Sequence, residues 1–158
     1  MKKQGGTRMK VTFELNSKHV ECETKPNTTL LDLLREHFKI TSVKKGCESG
    51  ECGACTILLD GNPVTSCIIL APTVEGRKVT TIDGLLNEPI MEKLRDGFLK
   101  MGAIQCGFCT PGMLISSYSL LKKKPKPTLD EVKKGLEGNL CRCTGYTQIF
   151  EAIKYASN

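Results

Sequence analysis

Three cysteines fall within the nine residues of "CESGECGAC", positions 47 to 55, separated by two glycines and a serine. Thiols this close on so flexible a stretch serve a disulfide knot, a zinc site or an iron–sulfur cluster. With Cys67 they complete the pattern C-x4-C-x2-C-x11-C. A C-x4-C-x2-C opening with a distant fourth Cys is the plant-type [2Fe–2S] spacing. Zinc sites favour pairs of short C-x2–4-C knuckles, and one triplet plus a single distant Cys fits that poorly. The glycines have a physical reason. A cluster with four thiolates carries net negative charge, so backbone N–H groups must turn toward the sulfurs while side chains stay out. Gly46, Gly50 and Gly53 permit that backbone path. The fourth ligand, Cys67, is expected to arrive from a strand after a hairpin.

A second quartet, Cys106, Cys109, Cys141 and Cys143, reads C-x2-C-x31-C-x-C. Each pair sits at the start of a predicted helix, where free N–H donors and partial positive charge suit an anionic cluster. The C-x-C pair is too tight for a usual zinc knuckle. Taken alone, this set leaves structural zinc open beside a second iron–sulfur cluster; next to the first set, the cluster gains. Cys22 is left over. It shares a strand face with Val20 and reads as a small buried apolar residue. His19 and His37 are the only histidines, neither beside a Cys motif, and both read as surface residues.

Composition narrows the function classes. The 158 residues, 39% hydrophobic, suffice for one ordinary domain or two small ones. With 5% aromatics and no Trp, large ring-lined ligand pockets are not expected. Nine Cys, an odd count, argues against a complete disulfide framework. The start "MKKQGGTRMKVTFELN" has no apolar region of ~7–15 residues, hence no secretory signal. No stretch of about 18 apolar residues exists, hence no expected membrane span. The expectation is a cytoplasmic chain, where a Cys pattern reads as metal-binding or catalytic. The formal charge is +6, and eight of the 23 basic residues sit in two short runs: Lys2, Lys3, Arg8 and Lys10, then Lys122, Lys123, Lys124 and Lys126. With no basic stripe interleaved with aromatics, no nucleic-acid partner is expected, and the runs read as a solvated tail and a solvated linker.

The elements that must position the thiols differ between the halves. "KVTFEL" puts Val11, Phe13 and Leu15 on one face, "NSK" turns, and "HVECET" puts Val20 and Cys22 on one face, a hairpin. Thr29 is a helix cap, and Leu30, Leu34 and Phe38 form one helical stripe. "TILLDGNPVTSCIIL" holds two apolar runs around Asp60-Gly61-Asn62, a hairpin signal, and "RKVTTI" is a fifth strand. From about Glu88 the period turns helical. Ile90, Leu94 and Phe98 make one stripe; Thr110 caps a helix with Pro111 at its first position. Thr128 with Glu131 forms a capping box, Leu129, Val132 and Leu136 face inward, and Gly138 stops that helix. Ile149, Ile153 and Ala156 line the last helix. Four helices with short links predict a bundle. The expected fold is α+β, a small sheet with one helix packed on it and then the bundle. The boundary falls near Asp83 to Asn87, and there are no internal repeats.

At "GCESGECGACTILLDGNPVTSC", "QCGFCTPGM" and "GNLCRCTGY" the chain closely resembles the small iron–sulfur subunit of the molybdenum hydroxylases, over about residues 9 to 156. That family includes xanthine dehydrogenases, aldehyde oxidoreductases, aerobic carbon monoxide dehydrogenases and hydroxybenzoyl-CoA reductases. The resemblance implies a plant-type ferredoxin β-grasp domain over 9–84 and a [2Fe–2S]-binding four-helix bundle over 88–158. It implies that Cys47, Cys52, Cys55 and Cys67 hold a cluster on the flavin side, and that Cys106, Cys109, Cys141 and Cys143 hold one beside a molybdopterin cofactor. Gln105 matches a residue that hydrogen-bonds the pterin, and Cys143 the ligand whose sulfur lies nearest it. Electrons then run from molybdenum through both clusters to FAD, or in reverse in reductive members. The implied partners are a molybdopterin-binding large subunit and an FAD-binding medium subunit, in a dimer of heterotrimers. The chain stops at Asn158, just after the last helix, which suggests a separate subunit. With no nucleophile–base pair, no G-x-G-x-x-G and no substrate-pocket signature, substrate chemistry is expected on another chain. Two other functions compete: a free two-cluster ferredoxin-like carrier, and a zinc-stapled interaction module.

Overall fold

The computed structural model describes residues 8–158; Lys2 and Lys3, half of the expected basic tail, lie outside them. Five strands form one mixed sheet in the order β2-β1-β5-β3-β4. β1 (Met9–Leu15) and β2 (Lys18–Thr24) form the antiparallel hairpin, with Val11 opposite Cys22. Val11, Phe13 and Leu15 are buried, as their alternation requires. β3 (Thr56–Leu59) and β4 (Asn62–Thr65) pair through the two-residue turn Asp60-Gly61, both at positive φ (50° and 80°), the geometry that makes Asp-Gly a hairpin turn. β5 (Lys78–Thr80) runs parallel to β1 and antiparallel to β3, which joins the two hairpins into one sheet.

Every residue of β3 is buried. Ile57 and Leu59 belong to the core beneath the sheet, whereas Leu58 belongs to the helical core on the opposite side. A strand covered on both faces has no polar face to show, which is why "TILL" does not alternate.

Thr29 caps the first helix, accepting the Asp32 N–H at 3.1 Å. That helix, α1 (Leu30–Asp32), passes directly into a π-helical turn over Leu33–His37, closed by the Phe38 N–H on Leu33 O at 3.2 Å. The wider turn buries Leu33 and Leu34 together with Leu30 and Leu31, so the apolar face is broader than a four-residue stripe. Phe38 is only partly buried, with its ring 5.8 Å from Phe13, edge to face.

The second half holds α2 (Pro89–Lys100), α3 (Thr110–Lys123), α4 (Leu129–Gly135) and α5 (Thr147–Ala156) around Met91, Leu94, Phe98, Met113, Ile115, Ile149 and Ile153. Leu94 and Phe98 are buried as expected, but Met91 is the fully buried residue of the first turn and Ile90 only flanks that core. The Thr128–Glu131 capping box is present. Three expectations are corrected. Cys109, not Thr110, occupies the α3 cap, with no side-chain capping bond, because the Met113 N–H bonds to Cys109 O at 3.0 Å and starts the helix one residue early. Leu129 is 55% exposed: as the first residue of α4 it precedes the turn that faces the core. α4 ends at Gly135, capped by Leu136, three residues before Gly138. Of the expected solvated linker, Lys122 donates to Tyr118 Oη at 3.2 Å and Lys124 pairs with Glu131, while both stay exposed.

Candidate metal centres

The β3–β4 hairpin sets half of the first site. Its register, Thr56 opposite Thr65, leaves Cys55 across from Ser66, one residue short of Cys67. Ser66 ties the two ends together, donating its N–H at 3.3 Å and its Oγ at 2.8 Å to Cys55 O. Cys67 does not lie on a strand: the chain past β4 tightens into a 3-10 turn, Ser66–Ile68, and the run "CIIL" is not a strand. The turn sends the Cys67 sulfur inward and leaves Ile68 63% exposed. Ile69 O then accepts the Leu30 N–H at 2.7 Å, pinning this segment to α1. Cys55 and Cys67 are both buried and meet. Burial, and then the hydrogen bond with Cys55, pushes the Cys67 thiol up to about 11.

The other half is the loop before β3. Cys47 Sγ accepts the N–H groups of Ser49 and Cys52, each at 3.4 Å. Hydrogen bonds from Ser49, then from Cys52, hold the exposed Cys47 thiol down at about 6. Donors of this kind stabilise a thiolate before any metal arrives. Glu48 (φ 58°) and Gly50 (φ 83°) make the turn that aims those N–H groups inward. A Cβ on Gly46 would stand 2.9 Å from Cys52 Sγ, so this glycine keeps room for a sulfur. Gly53, at φ 67°, has a second reason as well. A Cβ there would come within 2.1 Å of Gly138 O, on the helical half.

The second site gathers two loops. Cys106 and Cys109 precede and cap α3; Cys141 and Cys143 lie in the turn before α5, not at the helix start itself. Tyr146 caps α5 in the left-handed region (φ 70°), after Gly145 at φ 63°. Its Oη accepts the Cys141 N–H at 3.0 Å and donates to Asn139 O at 3.4 Å. Thr144 Oγ1 donates to Cys141 Sγ at 3.2 Å. Burial pushes the Cys141 thiol up, but hydrogen bonds from Thr144 and the Cys143 backbone outweigh it and leave the thiol below its ordinary value. Its partner Cys109, pressed by burial and then by Cys141, is pushed up to about 12. Cys106 and Cys143, both exposed, stand 3.5 Å apart, sulfur to sulfur. Gln105 is exposed beside them.

The thiols therefore meet in twos: Cys55 with Cys67, Cys109 with Cys141, Cys106 with Cys143. Among the described residues, no three His, Cys, Asp or Glu side chains converge on a point that could hold one ion. A single tetrahedral zinc needs four sulfurs mutually about 3.8 Å apart, the edge length set by a Zn–S bond near ~2.3 Å. Thiolate pairs over a wider site fit a two-iron cluster, each iron taking two thiolates, and the all-sulfur donor set suits iron–sulfur chemistry.

Cys22 is buried in β2, at the opposite edge of the sheet from β4, in the core that Cys55 and Cys67 also border, and burial raises its thiol. His19 and His37 are exposed. Sequence reasoning missed Thr144 and Tyr146, which hold Cys141, and Asn139 between the halves. Nothing in a Thr, Tyr or Asn beside a Cys motif announces such a contact; only the folded turn does. No helix of the described residues is long and apolar enough to cross a membrane.

Comparison with known proteins agrees with this geometry. Residues 13–81 match a 2Fe-2S iron-sulfur cluster binding domain, and residues 81–154 match a [2Fe-2S] binding domain. The chain is 46% identical to the nicotinate dehydrogenase small FeS subunit of Eubacterium barkeri, over 94% of this chain and 95% of that protein. It is 43% identical to the xanthine dehydrogenase iron-sulfur-binding subunit of Escherichia coli O157:H7, over 90% of this chain and 92% of that one. Among solved structures, a chain of quinoline 2-oxidoreductase from Pseudomonas putida 86 superposes with a TM-score of 0.89 at 42% identity, over 95% of this chain and 94% of that chain.

Proposed function

We propose that this chain, which belongs to the family of small iron–sulfur subunits of molybdenum hydroxylases, carries two [2Fe–2S] clusters and relays electrons between a molybdopterin site on a large subunit and FAD on a medium subunit. The observation that carries this is the gathering of eight cysteines, six of them with thiols in pairs, at two sites whose loops touch: the Leu140 N–H donates to Cys52 O at 2.9 Å, and Leu140 adjoins Cys141. Cys47, Cys52, Cys55 and Cys67 would hold one cluster, and Cys106, Cys109, Cys141 and Cys143 the other. Bound clusters supply one-electron carriers. The chain's own part is to offer thiolates, turn N–H groups toward them and keep each inner pair out of water.

Each site has one pair turned inward and one exposed sulfur or pair turned out. Cys143 and Gln105 lie on the exposed side of the helical site. That supports assigning this side to the molybdopterin-bearing subunit and the Cys47 side to the flavin subunit. The Gln105 amide offers both a donor and an acceptor to a pterin edge. The finer reading of the fold goes with this function: a plant-type β-grasp over 9–84 and a four-helix bundle over 88–158, in a cytoplasmic dimer of heterotrimers.

Iron and acid-labile sulfide analysis with EPR of the reduced protein tests the reading. About four irons per chain and two distinct signals are expected. Zinc in place of iron, or about two irons, would sink it. Size under native conditions, with the co-purifying chains identified, tests the partners. In the assembled enzyme, Gln105→Leu should leave iron content normal and slow reduction of the helical-site cluster by substrate. An unchanged rate removes the pterin contact.

A further inference from the structure

The two sites meet at a buried polar seam centred on Asn139, which is 4% exposed. Asn139 belongs to the helical half, two residues before Cys141. Its Nδ2 donates across the seam to Gly53 O at 3.1 Å and to Thr56 Oγ1 at 3.4 Å. Its Oδ1 accepts from Ser116 Oγ, on α3, at 2.6 Å. Its backbone O accepts from Tyr146 Oη, the same oxygen that accepts the Cys141 N–H. One residue thus holds the loop between Cys52 and Cys55 and the helix after Cys109 through its side chain, and the turn that carries Cys141 through its backbone. The seam leaves no slack. A Cβ on Gly112 would lie 2.2 Å from Gly53 O, and one on Gly53 would lie 2.9 Å from Asn139 Cγ.

From this juxtaposition we propose that Asn139 is a positioning residue that sets the coupling between the two clusters. The inference rests on the two-cluster reading above. A direct route between the sites runs from Cys52 through its carbonyl, across the 2.9 Å hydrogen bond to the Leu140 N–H, and one residue on to Cys141. Asn139 flanks that bond directly. With Gly53 and Asn139 tied, Cys52 O and the Leu140 N–H stay in register. Loosening the tie lengthens the one non-covalent gap in this route, on which electron tunnelling depends steeply, and lets the two sites move apart, which weakens the dipolar interaction with the cube of the distance between them. The amide is the fitting group: two donors meet two oxygens and one acceptor meets a hydroxyl. A carboxylate of the same size has no N–H for Gly53 O and sets negative charge against a carbonyl in a buried place.

The test is Asn139→Asp in the assembled enzyme, with iron content, low-temperature EPR of the fully reduced clusters, and amide hydrogen exchange. The expected result is normal iron, loss or narrowing of the splitting that each reduced cluster imposes on the other, slower electron equilibration between clusters, and faster exchange at the Leu140 amide. Unchanged splitting and unchanged Leu140 exchange would overturn the proposal. Should Asn139→Asp fail to assemble, Ser116→Ala removes only the bond into Oδ1 and is read by the same two measurements. A smaller change in the same direction supports the proposal, and wild-type values overturn it. The wild-type protein separates this from the wider reading: if it lacks a second cluster, the two-cluster function fails first.

Discussion

The two sites each collect four thiols, by opposite means. In the sheet half, three of the four come from one loop of nine residues, and the fourth is delivered by the end of a hairpin that begins at the third. The loop supplies its own N–H donors, and its outermost thiol is already down at about 6. In the helical half, two pairs separated by 31 residues meet because α3 and α5 are packed around one core. Cys141 is then served by side chains, Thr144 and Tyr146, and not by a loop of backbone N–H groups alone. The first site is a local structure that the sheet anchors. The second is a tertiary structure that exists only once the helices have packed.

A change at the seam should break both sites at once. Gly53→Ala combines a positive φ of 67° with a Cβ 2.1 Å from the backbone oxygen of Gly138. Neither backbone segment can yield cheaply, so a loss above about 4 kcal/mol in denaturant unfolding is expected, with both EPR signals diminished. Gly61→Ala is the control. It has a similar φ, 80°, but nothing within 4 Å, and should cost only about 1–2 kcal/mol. Equal costs would mean that the seam is soft.

Ligand substitutions should break one site each, and unequally. Cys52→Ser and Cys141→Ser should each reduce iron from about four to about two per chain. Losing the helical site should also loosen the α3 and α5 starts, visible as faster amide exchange there. Losing the sheet site should leave β1, β2 and β5 protected, because their bonds do not pass through the Cys47 loop. Equal spread of exchange from both variants would erase the local-versus-tertiary distinction.

That distinction also explains what the sequence made legible. Cys47, Cys52 and Cys55 announce themselves because the site is contiguous, and the β3–β4 hairpin because Asp60-Gly61 has a strong local preference. The helical quartet is visible as a list of cysteines, but its twofold pairing depends on helix packing that no local pattern states. The same limit hid the inward face of β3 at Leu58, which touches a core formed about 35 residues later. It hid the π-helical turn at Leu33–His37 and the 3-10 turn at Cys67, where tertiary anchors override an apolar periodicity that reads as helix and strand. Gly53 was legible for one of its two reasons: its φ of 67° bears out the backbone path, while the close approach of the Gly138 carbonyl from the opposite half was hidden.

Cys22→Ser sharpens the comparison from outside both sites. This thiol is buried opposite Val11, on the edge strand at the far end of the sheet from β3 and β4. Placing a hydroxyl in that apolar setting should cost about 1–3 kcal/mol and leave both clusters and both EPR signals unchanged. Loss of either signal would show that the ligand sets are wrongly drawn.

The smallest effect is expected at Leu129, and it measures how far the helical site's demands reach. α4 packs through Val132 and Leu136, both 3% exposed, while Leu129 is 55% exposed at the first turn. The Thr128–Glu131 capping box fixes the start of α4 without help from the Leu129 side chain. Leu129→Ala should therefore change unfolding by no more than about 0.5 kcal/mol, the range of ordinary surface substitutions. Leu136→Ala, one residue beyond the same helix, should cost about 2–5 kcal/mol, because it opens a cavity beneath α3. Leu136 O also accepts the Asn139 N–H at 2.9 Å, so a shift there reaches the turn that carries Cys141. The helical-site EPR signal should broaden in Leu136→Ala while the sheet-site signal stays sharp. If Leu129→Ala broadened it equally, the capping box would not be what holds α4, and the helical site would rest on a face that is exposed in this chain alone.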